Sequence, residues 1–357
     1  MRAFGIVVTL LLVLGTHPAQ AWHNHGHKTV ALIAWRQLGL ANIDLQQRAA
    51  AILREHPHRD LFLKTGRPAE FDEDTWVFMQ AATWPDWVRD PKVNDSPVED
   101  HDAIVAKYHK GNWHFVNLPY INPNEKNLFD EAAIRKQVLE PELDPQHEPR
   151  HALAALKQSL AQLALTDTPP ADKAVALCWA VHLIGDIHQP LHSVALIGSK
   201  QQFGPKGLLP PHGDNGGNKL AIRVKAEDPA GTDLHSLWDS LLVEKLTDTQ
   251  LNALVHDWLQ QPDFVRSRFT VALNKKDLLD WAIESRDLAQ SVAYQGTDGL
   301  LKFHILSEHR DLNDPQIPAL PNGYLKTAGE VAQRQMILGG YRLSDQLSKA
   351  IMNGESN

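Results

Sequence analysis

His182 and Asp186, and again His235 and Asp239, stand four positions apart in the chain. On a helix that spacing puts both side chains on one face, so each pair offers an imidazole and a carboxylate to one cation. His192 comes two residues after Pro190, close enough for the chain to fold back towards the first pair. Asp86, with Arg89 three residues on, and His114, set between Trp113 and Phe115, add another carboxylate, a guanidinium and another imidazole. At the other end lies Trp22-His23-Asn24-His25-Gly26-His27. If the chain is cut after Ala21, Trp22 contributes a free amine and a carbonyl, with the His27 imidazole nearby. Taken singly, each pair also reads as a cap or a surface hydrogen bond, and Asp86 and His114 as a turn residue and a core histidine. Taken together they point to a metal centre.

The cut itself is expected. Met1-Arg2-Ala3-Phe4 is a basic start, an apolar run leads to Gly15, and Ala19-Gln20-Ala21 is a small-residue cleavage site, which together describe a secretory signal peptide. The run of about 12 residues is short of the ~20 that span a bilayer. No other stretch is long enough. Residues 1–21 are therefore read as a signal peptide and 22–357 as one domain, secreted or periplasmic, with no membrane anchor. A single cysteine, Cys178, excludes an intramolecular disulfide, which leaves metal ions as candidate staples. Loss of Arg2 with the leader moves the net charge from −8 to −9. An acidic chain has no broad basic face for nucleic acid, yet bound cations would supply a positive field for phosphate. Asn94-Asp95-Ser96 is a formal glycosylation sequon.

Helices must carry these residues. Apolar spacing predicts helices over 28–38, 151–165, 171–189, 233–242, 248–260, 276–293 and 329–353. The stretch 171–189 is apolar nearly all round, as a central helix would be, and Pro190 ends it. Asp233 is a candidate cap. Strand-like alternation is clearest over 219–224, and the Gly- and Pro-rich run 198–217 reads as one long loop. The fold expected is mainly α, one compact helical domain with long loops and little strand.

In chain order, Trp22…His27, Thr83-Trp84-Pro85-Asp86, His114-Phe115, the run His182-Leu183-Ile184-Gly185-Asp186-Ile187-His188-Gln189-Pro190-Leu191-His192, Gly213-Asp214-Asn215-Gly216-Gly217-Asn218 and Leu234-His235-Ser236-Leu237-Trp238-Asp239 form a distinctive set. The set resembles the zinc-dependent nuclease family of fungal single-strand-specific nucleases and plant bifunctional nucleases, which shares its fold with the bacterial zinc phospholipases C. Trp281-Ala282-Ile283-Glu284-Ser285 extends the likeness, which covers most of the chain after residue 21. It departs at His23, where the family commonly has glycine, in a longer segment over 193–212, and in lacking the disulfides of eukaryotic members.

The resemblance implies three zinc ions. One would be held by Asp86, His114, His182 and Asp186, a second by the Trp22 amine and carbonyl, His27 and a bridging Asp186, and the third by His192, His235 and Asp239. Mixed His/carboxylate ligation with open positions suits catalytic zinc. The implied reaction is hydrolysis of the P–O3′ bond of single-stranded DNA and RNA to 5′-phosphates, with 3′-nucleotidase activity as well. Asp86 would orient the nucleophile and Arg89 contact the phosphate, Phe115 stack a base, and Asn218 meet a base edge. His188 is read as structural, and His56, His58, His109, His147 and His212 match no ligand position. Two alternatives remain: a zinc phospholipase C, disfavoured by Asp239 and by the Trp22–His27 spacing, and a non-enzymatic zinc-binding protein, which has no use for Arg89, Phe115 or Asn218. No stable protein partner is implied, and a monomer is expected.

Overall fold

A computed structural model describes residues 22–93, 96–140, 148–307 and 309–353. The expected leader, two sequon residues (Asn94 and Asp95) and His147 lie outside these. The architecture is mainly α, with a few short strands.

The Ala- and Leu-rich sequence Pro170–Ile187 forms the central helix, buried from Ala176 to Ile187 on every side. Helix Ala152–Ala164 packs along it and is capped by His151, whose ring accepts from Ala154 N. The N-terminal helix Asn24–Ala41 and the C-terminal helix Tyr324–Asn353 pack along each other and against the central helix, and the C-terminal helix also meets Ala152–Ala164. Gly340 permits that approach: a Cβ there would lie 2.4 Å from Ile33 Cγ2. These helices share one large apolar core that includes Trp22, Trp76, Trp84, Trp238 and Trp281. Cys178 is buried in it, and burial pushes its thiol pKa well up. No helix among the described residues is long and apolar enough to cross a membrane.

Three expected elements differ in detail. The span 276–293 divides into helix Leu278–Leu288 and a wider π turn, Ala289–Ala293. The strand expected over 219–224 is shorter, Leu220–Ile222, and is the middle of a three-stranded antiparallel sheet with Thr232–Asp233 and His304–Ile305. The run 198–217 contains a helical turn, Lys200–Phe203, and closes on itself through a Gly198–Leu208 bridge. Helices Ile43–Arg54, Glu73–Ala81 and His101–Tyr108 lie outside the expected spans. The first two start from the side-chain caps Asn42 and Asp72.

Candidate metal centre

The central helix presents His182 and Asp186 from its last two turns, both fully buried. Pro190 stops the helix, and a tight turn, Pro190–Ser193, brings His192 back towards it. Asp86 comes from the short helical turn Trp84–Trp87, and His114 from the end of the turn Gly111–His114. His235 and Asp239 sit on the six-residue helix Leu234–Asp239, whose cap is Asp233, accepting from Ser236 N at 2.8 Å.

These elements converge. Asp186 Oδ1 lies 3.3 Å from His27 Nε2, while Asp186 Oδ2 lies 3.3 Å from both His114 Nδ1 and His182 Nε2. Asp86 stands 3.8 Å from His114 Nδ1 and 3.9 Å from His182 Nε2. His192 Nε2 and His235 Nε2 are 3.6 and 3.4 Å from the two oxygens of Asp239. His192 Nδ1 lies 3.9 Å from Asp186, so the two clusters adjoin. Three buried groups have donor atoms close enough to hold one ion each: His27, His182 and Asp186; Asp86, His114 and His182; and His192, His235 and Asp239.

The residues fit metal ions on two observations. First, potential donor atoms in this cluster are buried without a hydrogen-bond partner: both nitrogens of His27, His114 Nε2, His192 Nε2, both oxygens of Asp186, Asp86 Oδ2 and Asp239 Oδ2. Leaving such groups unpaired costs ~1–3 kcal/mol each, more for charged ones, so they call for partners. Second, three imidazoles are oriented from behind. The Nδ1 of His182, His192 and His235 bonds a backbone carbonyl, of Ala82, His114 and Gly216, at 2.7, 2.6 and 2.6 Å. A carbonyl only accepts, so Nδ1 carries the hydrogen, and in the neutral ring Nε2 keeps a lone pair, as a ligand requires.

The charges point the same way. Burial opposes ionisation of Asp186, yet His182 foremost, with His114 and His27 beside it, holds its carboxyl well below the usual range. Burial likewise opposes the charge on His192, but the neighbouring carboxylates of Asp239 and Asp186 push it up to about 9. His27, buried beside His182, drops to about 4. The pocket thus stabilises positive charge beside its carboxylates and keeps His27 neutral.

Trp22 is fully buried. Its indole Nε1 donates to Gly185 O at 3.0 Å, next to Asp186, and His23 N donates to Asp239 O at 3.1 Å. The segment Trp22–His27 is pinned between the two carboxylate-bearing elements.

A cleft of about 90 Å³ opens against the cluster, lined by Arg89, His114, Phe115, His192, Asn218 and His235 among others. Arg89 Nη2 donates to Asp86 Oδ1 at 3.2 Å. Asn218 Nδ2 donates to Asn215 O at 2.7 Å, so one amide hydrogen serves its own loop, and the other hydrogen and the oxygen are left for another contact. The residues singled out in the sequence thus gather around one cluster and its cleft.

The comparisons with known proteins agree. The S1/P1 nuclease family model matches residues 22–352. The chain belongs to the S1/P1 nuclease family. Endonuclease 3 and Endonuclease 4 of Arabidopsis thaliana are each 26% identical to it, over 184 and 187 residues. Each match covers 49% of this chain and 50% of the relative, so the chain spans about half the length of the curated relatives it matches.

Sequence reasoning missed several supports of this family site. Asn117 lines the cleft and bonds His212 Nδ1 at 3.3 Å. Asp214 is fully buried and gathers the glycine loop, accepting from the amides of Leu196, Gly216 and Gly217 and from Tyr294 Oη. The glycines around Asp214 were its one visible signal. His188, read as structural, donates from Nδ1 to Ile184 O and accepts from Arg342 through Nε2.

Proposed function

We propose that this chain is an exported trinuclear-zinc phosphodiesterase that hydrolyses the P–O3′ bond of single-stranded DNA and RNA to 5′-phosphates, and acts on 3′-nucleotides as well. The observation that carries this reading is the set of buried, unpartnered nitrogens and oxygens on His27, Asp86, His114, Asp186, His192 and Asp239, gathered within one site. Asp86, His114, His182 and Asp186 would hold one ion. Trp22 and His27 with Asp186 would hold the second, and His192, His235 and Asp239 the third. The two oxygens of Asp186 face different histidines, which supports its role as the bridge.

Zinc supplies a nucleophile activated at neutral pH and positive charge against the phosphoryl oxygens. The chain's own residues do the rest. Asp86 anchors Arg89 and lies beside the ligands, where it can orient the attacking water. The Arg89 guanidinium is a planar fork suited to two phosphate oxygens. Phe115 offers a ring for a base to stack on, a contact worth ~1–3 kcal/mol per base. The Asn218 amide, with one hydrogen engaged by Asn215, still offers an acceptor and a donor to a base edge. Stacking needs an unpaired base, and single strands provide one.

Export rests on the signal-peptide reading of residues 1–21, and cleavage after Ala21 would free the Trp22 amine. The test is metal analysis of processed protein together with turnover on single-stranded DNA, RNA and 3′-AMP. Zinc-loaded protein should act on all three. Excess chelator should abolish each activity and lower the melting temperature, because binding is linked to folding. Full turnover after zinc has been removed would refute the reading.

A further inference from the structure

Gln189 is fully buried just past the end of the central helix, and both ends of its amide are engaged. Its Nε2 donates to Asp239 Oδ1 at 2.7 Å, across 50 residues of sequence. Its Oε1 accepts from Leu191 N at 2.6 Å. Asp239 is itself 1% exposed, and its other oxygen, Oδ2, has no hydrogen-bond partner and lies 3.4 Å from His235 Nε2. Leu191 belongs to the turn Pro190–Ser193, which carries His192. One side chain therefore grips the carboxylate of one proposed ligand and the backbone beside another.

We infer that Gln189 is a positioning residue that makes Asp239 a one-oxygen ligand, occupying Oδ1 and directing Oδ2 to the ion shared with His192 and His235. This deepens the metal-centre reading and rests on it. A buried carboxylate with both oxygens free could bind a cation through one oxygen or through both. A neutral amide donor takes up a lone pair of one oxygen, leaving the other the stronger ligand, without adding a positive charge, whereas lysine or arginine in its place would repel the ion. The amide cannot turn over: flipped, Oε1 would face the carboxylate and Nε2 would face Leu191 N–H, two repulsive contacts in place of two hydrogen bonds. The same bond to Leu191 holds the turn from which His192 approaches, so the side chain couples two of the three ligands of one ion. No local pattern announces this, because the glutamine and its partner carboxylate sit on different elements.

The experiment measures zinc stoichiometry and affinity by competition with a chromogenic chelator, on processed protein loaded with zinc. Gln189→Met keeps the volume and loses both hydrogen bonds. Gln189→Asn keeps the amide but falls one methylene short of Asp239. The expected result is a 10–100-fold loss of affinity for one zinc in each variant, with the other two unchanged, the range found when outer partners of ligands are removed. In an Asp239→Asn background the same changes at Gln189 should have a smaller further effect on that ion than in the wild type, since only the bond to Leu191 N remains to be lost. If Gln189→Met does not fold, Gln189→Asn decides. Wild-type affinity for every zinc in a folded variant, or equal weakening of all of them, would overturn the proposal. Asp239→Asn alone separates the two levels: if it keeps the full zinc complement, the metal-centre reading fails and the role of Gln189 falls with it.

Discussion

The two His-x3-Asp pairs are alike in sequence and differently supported in space. His182 and Asp186 lie in an 18-residue helix whose second half is buried on every side. Their backbone would hold its place without any particular side chain. His235 and Asp239 span a helix of six residues, too short to be stable by itself. That helix is held from outside: Asp233 caps it, Arg310 Nη2 donates to Asp233 Oδ2 at 2.8 Å, Gly216 O fixes His235, and Gln189 fixes Asp239. The same local spacing yields the same local geometry, but one pair rides on a long buried helix, while the other rides on a short turn that buries Leu234, Leu237 and Trp238 and relies on individual hydrogen bonds as well. The first should resist neighbouring substitutions; the second should fail when any of several supports is removed.

The sharpest test compares the carboxylates themselves. Asp186→Asn should lose more zinc per protein than Asp239→Asn, and nearly all activity, because Asp186 faces histidines of two groups. Elemental analysis of both variants measures this, and equal loss of about one ion from each would remove the bridge.

Gly216→Ala strikes the weaker pair from a distance. Gly216 has φ +62°, and an added Cβ would lie 2.2 Å from Leu191 O. Strain of that kind costs ~1–3 kcal/mol before any displacement. Shifting the Gly216 carbonyl should also loosen His235, so chemical denaturation should show the loss of stability and zinc titration a selective weakening of the third site.

Asp214 tests the loop that supplies that carbonyl. Burial raises its pKa from 3.8 to about 6 despite its hydrogen bonds from Tyr294 and three amides. The folded value lies above the unfolded one. Its contribution to stability is therefore fully present below pH ~4 and is lost as pH rises to ~6, by about 3 kcal/mol in all for two units. Measured by denaturation at each pH, the stability difference between wild type and Asp214→Asn should shift across that window, the wild type faring relatively worse towards pH 6, and level off above it. A difference that is flat from pH 4 to 6 would contradict the burial argument.

The smallest effect is at the cap. Asp233→Ala should cost about 1 kcal/mol and lower affinity for the third zinc while leaving the central helix pair untouched. Equal weakening of all ions would mean that the two pairs are not supported separately.

The principal helices and the chemistry-bearing residues were legible because both follow short-range rules. Period 3.6 marked the central and C-terminal helices, Pro190 marked a stop, and spacing of four put each His beside its Asp. Helix Glu73–Ala81 escaped because Thr75 to Ala81 are all buried, so no polar face sets a period. Helix Ile43–Arg54 offered a capping asparagine and a regular apolar face, Leu45, Ala49, Ala50 and Leu53, so it was legible in the sequence and was overlooked. The wide turn at Ala289–Ala293 looks in sequence like more of the preceding helix.

What the amino-acid sequence determined by itself is which groups are available and which local faces they share: imidazoles and carboxylates in pairs, a proline after the central helix, glycines where the backbone must turn. What only the tertiary structure decided is which of their atoms are engaged. Ala82, His114 and Gly216 lend carbonyls to three imidazoles. Gln189 takes one oxygen of Asp239 and leaves the other. These are single hydrogen bonds between segments 19 to 100 residues apart. Their partners are backbone atoms common to every residue, or a glutamine that could equally have faced water, so no local pattern encodes them. They arise only when packing of the helices excludes water and each buried polar group must find a partner.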